Sequence, residues 1–211
     1  MARAHDAEGV DPRARAEGGD SPARADDDTA ASALLPWLRA PLAQALRDVR
    51  GHATLIAGTA GVGQHEFARA LARGWLCEAE RRDPGPGADD EGAFRPCGVC
   101  ASCRLVAAGS HPDLLELLPE ALRIELGEAD AAGGMTGDDA PARKSRPSRD
   151  IRVEAVRNAI DWCQRSSGRG RAKVLLLYPA EAMNMVAANA LLKTLEEPPG
   201  LLRVLLATQA P

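Results

Sequence analysis

A short apolar strand feeding a glycine-rich turn constrains this chain more than any other stretch of it. Ala53-Thr54-Leu55-Ile56-Ala57 runs into Gly58-Thr59-Ala60-Gly61-Val62-Gly63-Gln64-His65, and Phe67, Leu71 and Trp75 then recur at i, i+4 and i+8 on one helix face. Strand, glycine turn and helix in that order are the parts of a phosphate loop, where backbone N–H groups and a helix N-terminus hold an anion. Gly58 and Gly63 keep the glycine spacing of G-x-x-x-x-G-K-[ST], but Gln64 and His65 stand where the lysine and the hydroxyl belong. A neutral amide cannot neutralise phosphate charge, and an imidazole is a poor ligand for a hard cation such as Mg²⁺. The eight residues taken alone fit an ordinary tight connection about as well. Their strand-to-helix context favours the phosphate-loop reading, with nucleotide binding absent or weak.

The rest of the chain alternates in the same way. Leu34-Leu35-Pro36-Trp37-Leu38 anchors the folded part, and Pro41 is placed to open a helix carrying Leu42, Ala45, Leu46 and Val49. His111 to Leu118 reads as a second strand, and Val153, Val156 and Ile160 mark a helix. Lys173-Val174-Leu175-Leu176-Leu177-Tyr178 is the unbroken apolar run of a parallel strand buried on both faces. A helix over residues 187–197 stops at Pro198-Pro199, and residues 202–207 form another strand. Strands alternating with helices predict an α/β fold with a mostly parallel sheet over residues 34–211. Residues 1–33 hold almost no large apolar side chain and read as a disordered tail, residues 83–92 as a loop, and residues 127–150 as a mobile insertion.

Composition narrows the functional classes. Of 211 residues 45% are hydrophobic and only 3% aromatic, so the core must be built from Leu, Val, Ile and Ala. A net charge of −4 gives no overall attraction to nucleic acid. The sequence holds no apolar run long enough to span a bilayer and no secretory signal, which makes the cytoplasm the expected location.

Five cysteines would be an odd disulfide set, yet Cys97-Gly98-Val99-Cys100-Ala101-Ser102-Cys103 packs three of them into a tight knuckle. With Cys77 the spacing is C-x19-C-x2-C-x2-C, which fits a closed tetrahedral thiolate site for structural zinc. Buried free thiols are the plainer alternative. His111 is a second candidate for the fourth ligand, although Pro112 and Asp113 beside it suit the start of a strand, and Cys163 beside Trp162 reads as a core residue. A hydrolytic loop also needs an acid at the end of a later strand, where this chain has Tyr178-Pro179-Ala180-Glu181. Glu181 lies past the strand end and is expected to face solvent.

Asn189-Ala190-Leu191-Leu192-Lys193-Thr194-Leu195-Glu196-Glu197-Pro198-Pro199 closely resembles the signature helix of bacterial clamp-loader subunits, members of the AAA+ ATPase superfamily. The cysteine spacing, Gly109-Ser110-His111-Pro112-Asp113 and Leu206-Ala207-Thr208 agree with it, the last resembling a sensor 1 strand end. The missing lysine and hydroxyl, with Tyr178-Pro179 as a degenerate Walker B, resemble the delta prime class of DNA polymerase III rather than the ATP-hydrolysing tau/gamma class. The resemblance implies an AAA+ module with a zinc knuckle and no ATP hydrolysis of its own. Its partners would be tau/gamma, delta and the sliding clamp, with primed DNA reached through the complex. In that family a Ser-Arg-Cys motif and lid and collar domains come later than the point where this chain stops, so they are expected to be absent here and the chain to be an N-terminal portion. An active tau/gamma-type ATPase and a zinc-binding nucleic-acid module are the rival readings.

Overall fold

The computed structural model describes residues 34–79, 96–127 and 146–210. The expectations for residues 1–33 and 83–92, and for the insertion apart from its ends, lie outside those residues. Among the described residues four parallel strands form one sheet: β1 (Ala53–Ala57), β2 (Leu114–Leu117), β3 (Lys173–Leu177) and β4 (Leu202–Thr208), in the order β1-β4-β3-β2. Register is continuous across it, with Leu175 opposite Val204 and Val204 opposite Ala53. The α/β class read from the sequence is the class observed.

Alternation along the central strands divides the core into two layers. Val174, Leu176 and Tyr178 of the β3 segment join Leu205 and Ala207 of β4 on one face. Leu175 and Leu177 join Leu202 and Val204 on the other. The first face is covered by α1 (Arg39–Asp48), α2 (Gln64–Leu76) and α3 (Ala101–Ala107), through Leu42, Leu46, Leu71, Trp75 and Val106. Past α4 (Glu120–Glu125), the second face receives α5 (Val153–Cys163) and α6 (Met185–Glu196), through Val156, Ala159, Trp162 and Leu191. Cys163 is part of that layer, and burial pushes its thiol up to about 11. Each fully buried Leu or Val contributes about 1.5–3 kcal/mol of transfer free energy, so β3, sealed on both sides, is the sheet's main anchor.

Several boundaries differ from the sequence expectation. Pro36 rather than Pro41 begins the first helical segment, because a 3₁₀ turn over Pro36–Leu38 runs directly into α1. The second strand is only Leu114–Leu117; before it, His111 is tied to Ser102 of α3 and Asp113 to the turn that precedes β3. Helix α4 has no counterpart in the sequence expectation, and Ser148 tethers the end of the insertion to it, its carbonyl accepting from Ala121 N at 3.0 Å. Among the described residues no helix is long and apolar enough to cross a membrane.

Candidate functional site

Helix α2 carries the two motifs at its two ends. Its N-cap is Gly63 of the glycine loop, and its C-cap is Cys77 of the knuckle.

At the first end the backbone has the shape the glycines promise. Gly61 and Gly63 adopt φ of 84° and 101°, in the left-handed region that favours glycine. A Cβ on Gly63 would also lie 2.7 Å from Leu35 Cδ1 and 2.9 Å from Leu38 Cδ1, since the chain before α1 packs against the turn. Trp37 Nε1 fastens that segment by donating to Val62 O at 3.0 Å. The side chains, however, are turned to other tasks. Gln64, 4% exposed, folds back so that Nε2 donates to Thr59 O at 2.7 Å and reaches Thr208 O at 3.5 Å. Gly58 N donates to the same Thr208 carbonyl at 3.3 Å, so the loop is stitched to the end of β4.

His65 is equally committed. It is buried, stacks on the Tyr178 ring with centroids 5.0 Å apart, and sets Nε2 3.2 Å from Glu116 Oε2. Glu116 Oε1 also meets Arg69 Nε at 3.1 Å. Tyr178 and Pro179 stand where β3 ends, joined by a cis peptide bond. Glu181 lies past the strand end in a 3₁₀ turn and is exposed, as expected. Its carboxylate also turns back to the protein, accepting from Thr208 Oγ1 at 2.7 Å and Gln209 N at 3.0 Å. Burial works against its ionisation, but these donors outweigh burial and hold its pKa below the usual carboxylate range. Thr208, the sensor 1-like residue, is therefore engaged within the protein.

At the second end four thiols converge. The Sγ atoms of Cys77, Cys97, Cys100 and Cys103 all lie within 4.8 Å of one another, and those of Cys77 and Cys100 are 4.0 Å apart. Tetrahedral zinc with Zn–S bonds of about 2.3 Å places its sulfurs roughly 3.8 Å apart, so this donor set fits such an ion with small adjustment. Backbone donors already point at the sulfurs: Cys97 N to Cys77 Sγ at 3.3 Å, Cys100 N to Cys97 Sγ at 3.4 Å and Cys103 N to Cys100 Sγ at 3.4 Å. Burial raises the pKa values of Cys77 and Cys103. It opposes ionisation of Cys100 too, but N–H bonds from Glu78 and Cys103 prevail and bring that thiol down to about 7. These four residues can hold a metal ion.

His111 is not a fifth donor. Its Nδ1 accepts from Asp113 N at 3.0 Å, which leaves the proton on Nε2, 3.0 Å from Ser102 Oγ. Ser102 Oγ then donates to Glu78 Oε1 at 2.9 Å, and Arg169 pairs with the same carboxylate. Asp113 accepts from Ser167 Oγ, Gly168 N and Arg169 N at 2.7–2.9 Å. The knuckle is thus bonded through α3 and the start of β2 to the turn before β3. Glu78, Glu116 and Arg169 are the site residues that sequence reasoning misses; Glu116, a single acid in Leu114-Leu115-Glu116-Leu117, is the one with a visible signal.

The sequence pattern of the family described as "DNA polymerase III, delta subunit" matches residues 40–211. The DNA polymerase III subunit delta' of Pseudomonas aeruginosa is 37% identical over 179 residues, covering 84% of this chain and 44% of that protein. For the Escherichia coli subunit delta' the identity is 33% over 180 residues, covering 83% and 43%. The Escherichia coli subunit tau is 36% identical over 160 residues, covering 76% of this chain and 19% of its own length. The chain thus spans less than half the length of the delta' relatives it matches. Sequence similarity along nearly the whole described fold places this chain in the DNA polymerase III delta prime family.

Proposed function

We propose that this chain is the AAA+ module of a noncatalytic clamp-loader subunit, which helps place the sliding clamp on primed DNA within the DNA polymerase III holoenzyme. It acts by contacts with tau/gamma and delta subunits in the cytoplasm rather than by ATP turnover. The observation that carries this reading is Gln64: the amide at the lysine position lies inside the loop and spends its donors on Thr59 and Thr208 carbonyls. Phosphoryl transfer needs a cation there and an acid beside it that organises Mg²⁺. Gln64 supplies no charge, and Tyr178-Pro179 supplies no carboxylate. Glu181, the nearest acid along the chain, is held by Thr208 and Gln209.

The four cysteines would hold one structural zinc, with all four positions filled by thiolate and none left for substrate. When bound, the ion supplies a crosslink between the end of α2 and the start of α3. Cys77 and Cys103, both buried, seal the inner side, while Cys97 and Cys100 stay partly open to solvent.

The test is ATP hydrolysis by the purified, zinc-loaded protein. No turnover above a protein-free control is expected. Turnover that disappears on Gln64→Ala substitution would overturn the proposal in favour of a tau/gamma-type ATPase.

A further inference from the structure

The opposite end of the sheet from the glycine loop holds a cavity of about 530 Å³, where β1, β4 and β3 begin. Arg50 and His52 line it from the α1–β1 connection, Arg171 from the turn before β3, Arg203 from β4, and Trp75 from the last turn of α2. No Asp or Glu is among its described lining residues. This is an unusual concentration of cationic side chains in a chain whose net charge is −4.

Several features fix the geometry of this wall. Arg203 lies over the Trp75 ring, its guanidinium carbon 4.5 Å from the centroid, and its NH1 reaches Val49 O at 3.5 Å. Arg171 NH2 donates to Glu78 O at 3.0 Å. The acceptors of these two bonds are backbone carbonyls near the C-terminal ends of α1 and α2, and they orient the guanidinium groups. Planar guanidinium groups held in fixed positions suit phosphate oxygens, which accept paired N–H bonds. Trp75 adds a second observation: only 3% exposed, it keeps a buried indole N–H with no hydrogen-bond partner among the described residues. A cavity of this size accommodates a ligand larger than a single ion.

We propose that this cavity is a phosphate-binding site, with Arg50, Arg171 and Arg203 as its cationic wall. The shared chemistry is a phosphate group, carried either by a small phosphorylated ligand or by a nucleic-acid backbone. The site is separate from the glycine loop and does not depend on the functional reading above.

Inorganic pyrophosphate and a labelled oligothymidylate serve as probes, titrated against the zinc-loaded protein at roughly 50 mM salt, where screening is modest. Arg50→Ala/Arg171→Ala should weaken binding about tenfold or more, the size expected for removing at least one charge-assisted hydrogen bond. The fold should be retained, because both side chains are exposed. Arg157→Ala, an exposed arginine on α5, should leave binding unchanged. Oligothymidylate binding that pyrophosphate displaces assigns the site to a nucleic-acid backbone, and its salt slope should fall by about 0.7 for each phosphate that the variant no longer neutralises. Pyrophosphate binding alone assigns it to a small ligand. Equal binding by wild type and the arginine variant, through the glycine loop or diffuse charge, would overturn the proposal. So would a wild-type protein that binds neither probe.

Discussion

The two ends of α2 keep opposite halves of their motifs, backbone shape at one and ligand side chains at the other. At the N-terminal end the backbone of a phosphate loop persists, with both left-handed glycines in place, while Gln64 and His65 bond to the protein itself. At the C-terminal end the ligand atoms are complete: four sulfurs within 4.8 Å and backbone N–H groups directed at three of them. A helix of this length separates the two by about 20 Å. The backbone shape has a use apart from phosphate chemistry, because the turn also positions a strand, a helix and the segment before α1. A thiolate site has no such second use: four cysteines this close have little reason to stay together without an ion.

This contrast predicts that removing the metal has the largest effect. Elemental analysis should find about one zinc per chain, and Cys100→Ser should lose it. Chelation should lower stability by about 4 kcal/mol or more if the ion stands a thousandfold above its dissociation constant. A metal-free preparation with an unchanged melting temperature would erase the difference between the two ends.

An intermediate effect is expected at Asp113, which bonds the knuckle's network to the turn before β3. Burial disfavours its charge, yet the N–H groups of Gly168 and Arg169 and the Ser167 hydroxyl hold its pKa below the usual value. A depressed folded-state pKa means this stabilisation is complete above the unfolded value near pH 4, and is lost as pH falls through the lower folded one. Asp113→Asn should therefore cost about 1–3 kcal/mol at pH 7 in urea unfolding, with the gap to wild type closing in strong acid. A pH-independent gap would assign the cost to packing instead.

The smallest effect belongs to the loop. Gln64→Ala removes the side-chain bonds to Thr59 and Thr208 and should cost about 1 kcal/mol, read as a shift in the urea midpoint at constant slope. No loss at all would mean that the glycines and the Leu35–Leu38 packing hold the turn unaided.

What can be read in advance follows from how each feature is encoded. β3 is legible because burial on both faces writes itself as an uninterrupted apolar run, and the knuckle because metal ligands must be close in sequence to form a tight turn. Helix α4 buries no residue fully, so it leaves no apolar stripe to find. The bond from Glu181 to Thr208 joins residues 27 apart and depends on β3 and β4 being neighbours. The arginine cavity draws on three separate strand beginnings, and no local pattern links Arg50 to Arg171 or Arg203.

Trp37 brings an optical consequence to the loop. More than half of its surface is open to solvent, while its indole N–H is held by Val62 in the middle of the turn. Any rearrangement of that turn, whether by nucleotide, a neighbouring subunit or substitution of Gln64, must disturb this bond and the polarity around the ring. With Trp75 and Trp162 in the interior as a steadier background, the fluorescence of the chain offers a label-free gauge of whether the old cradle is ever entered.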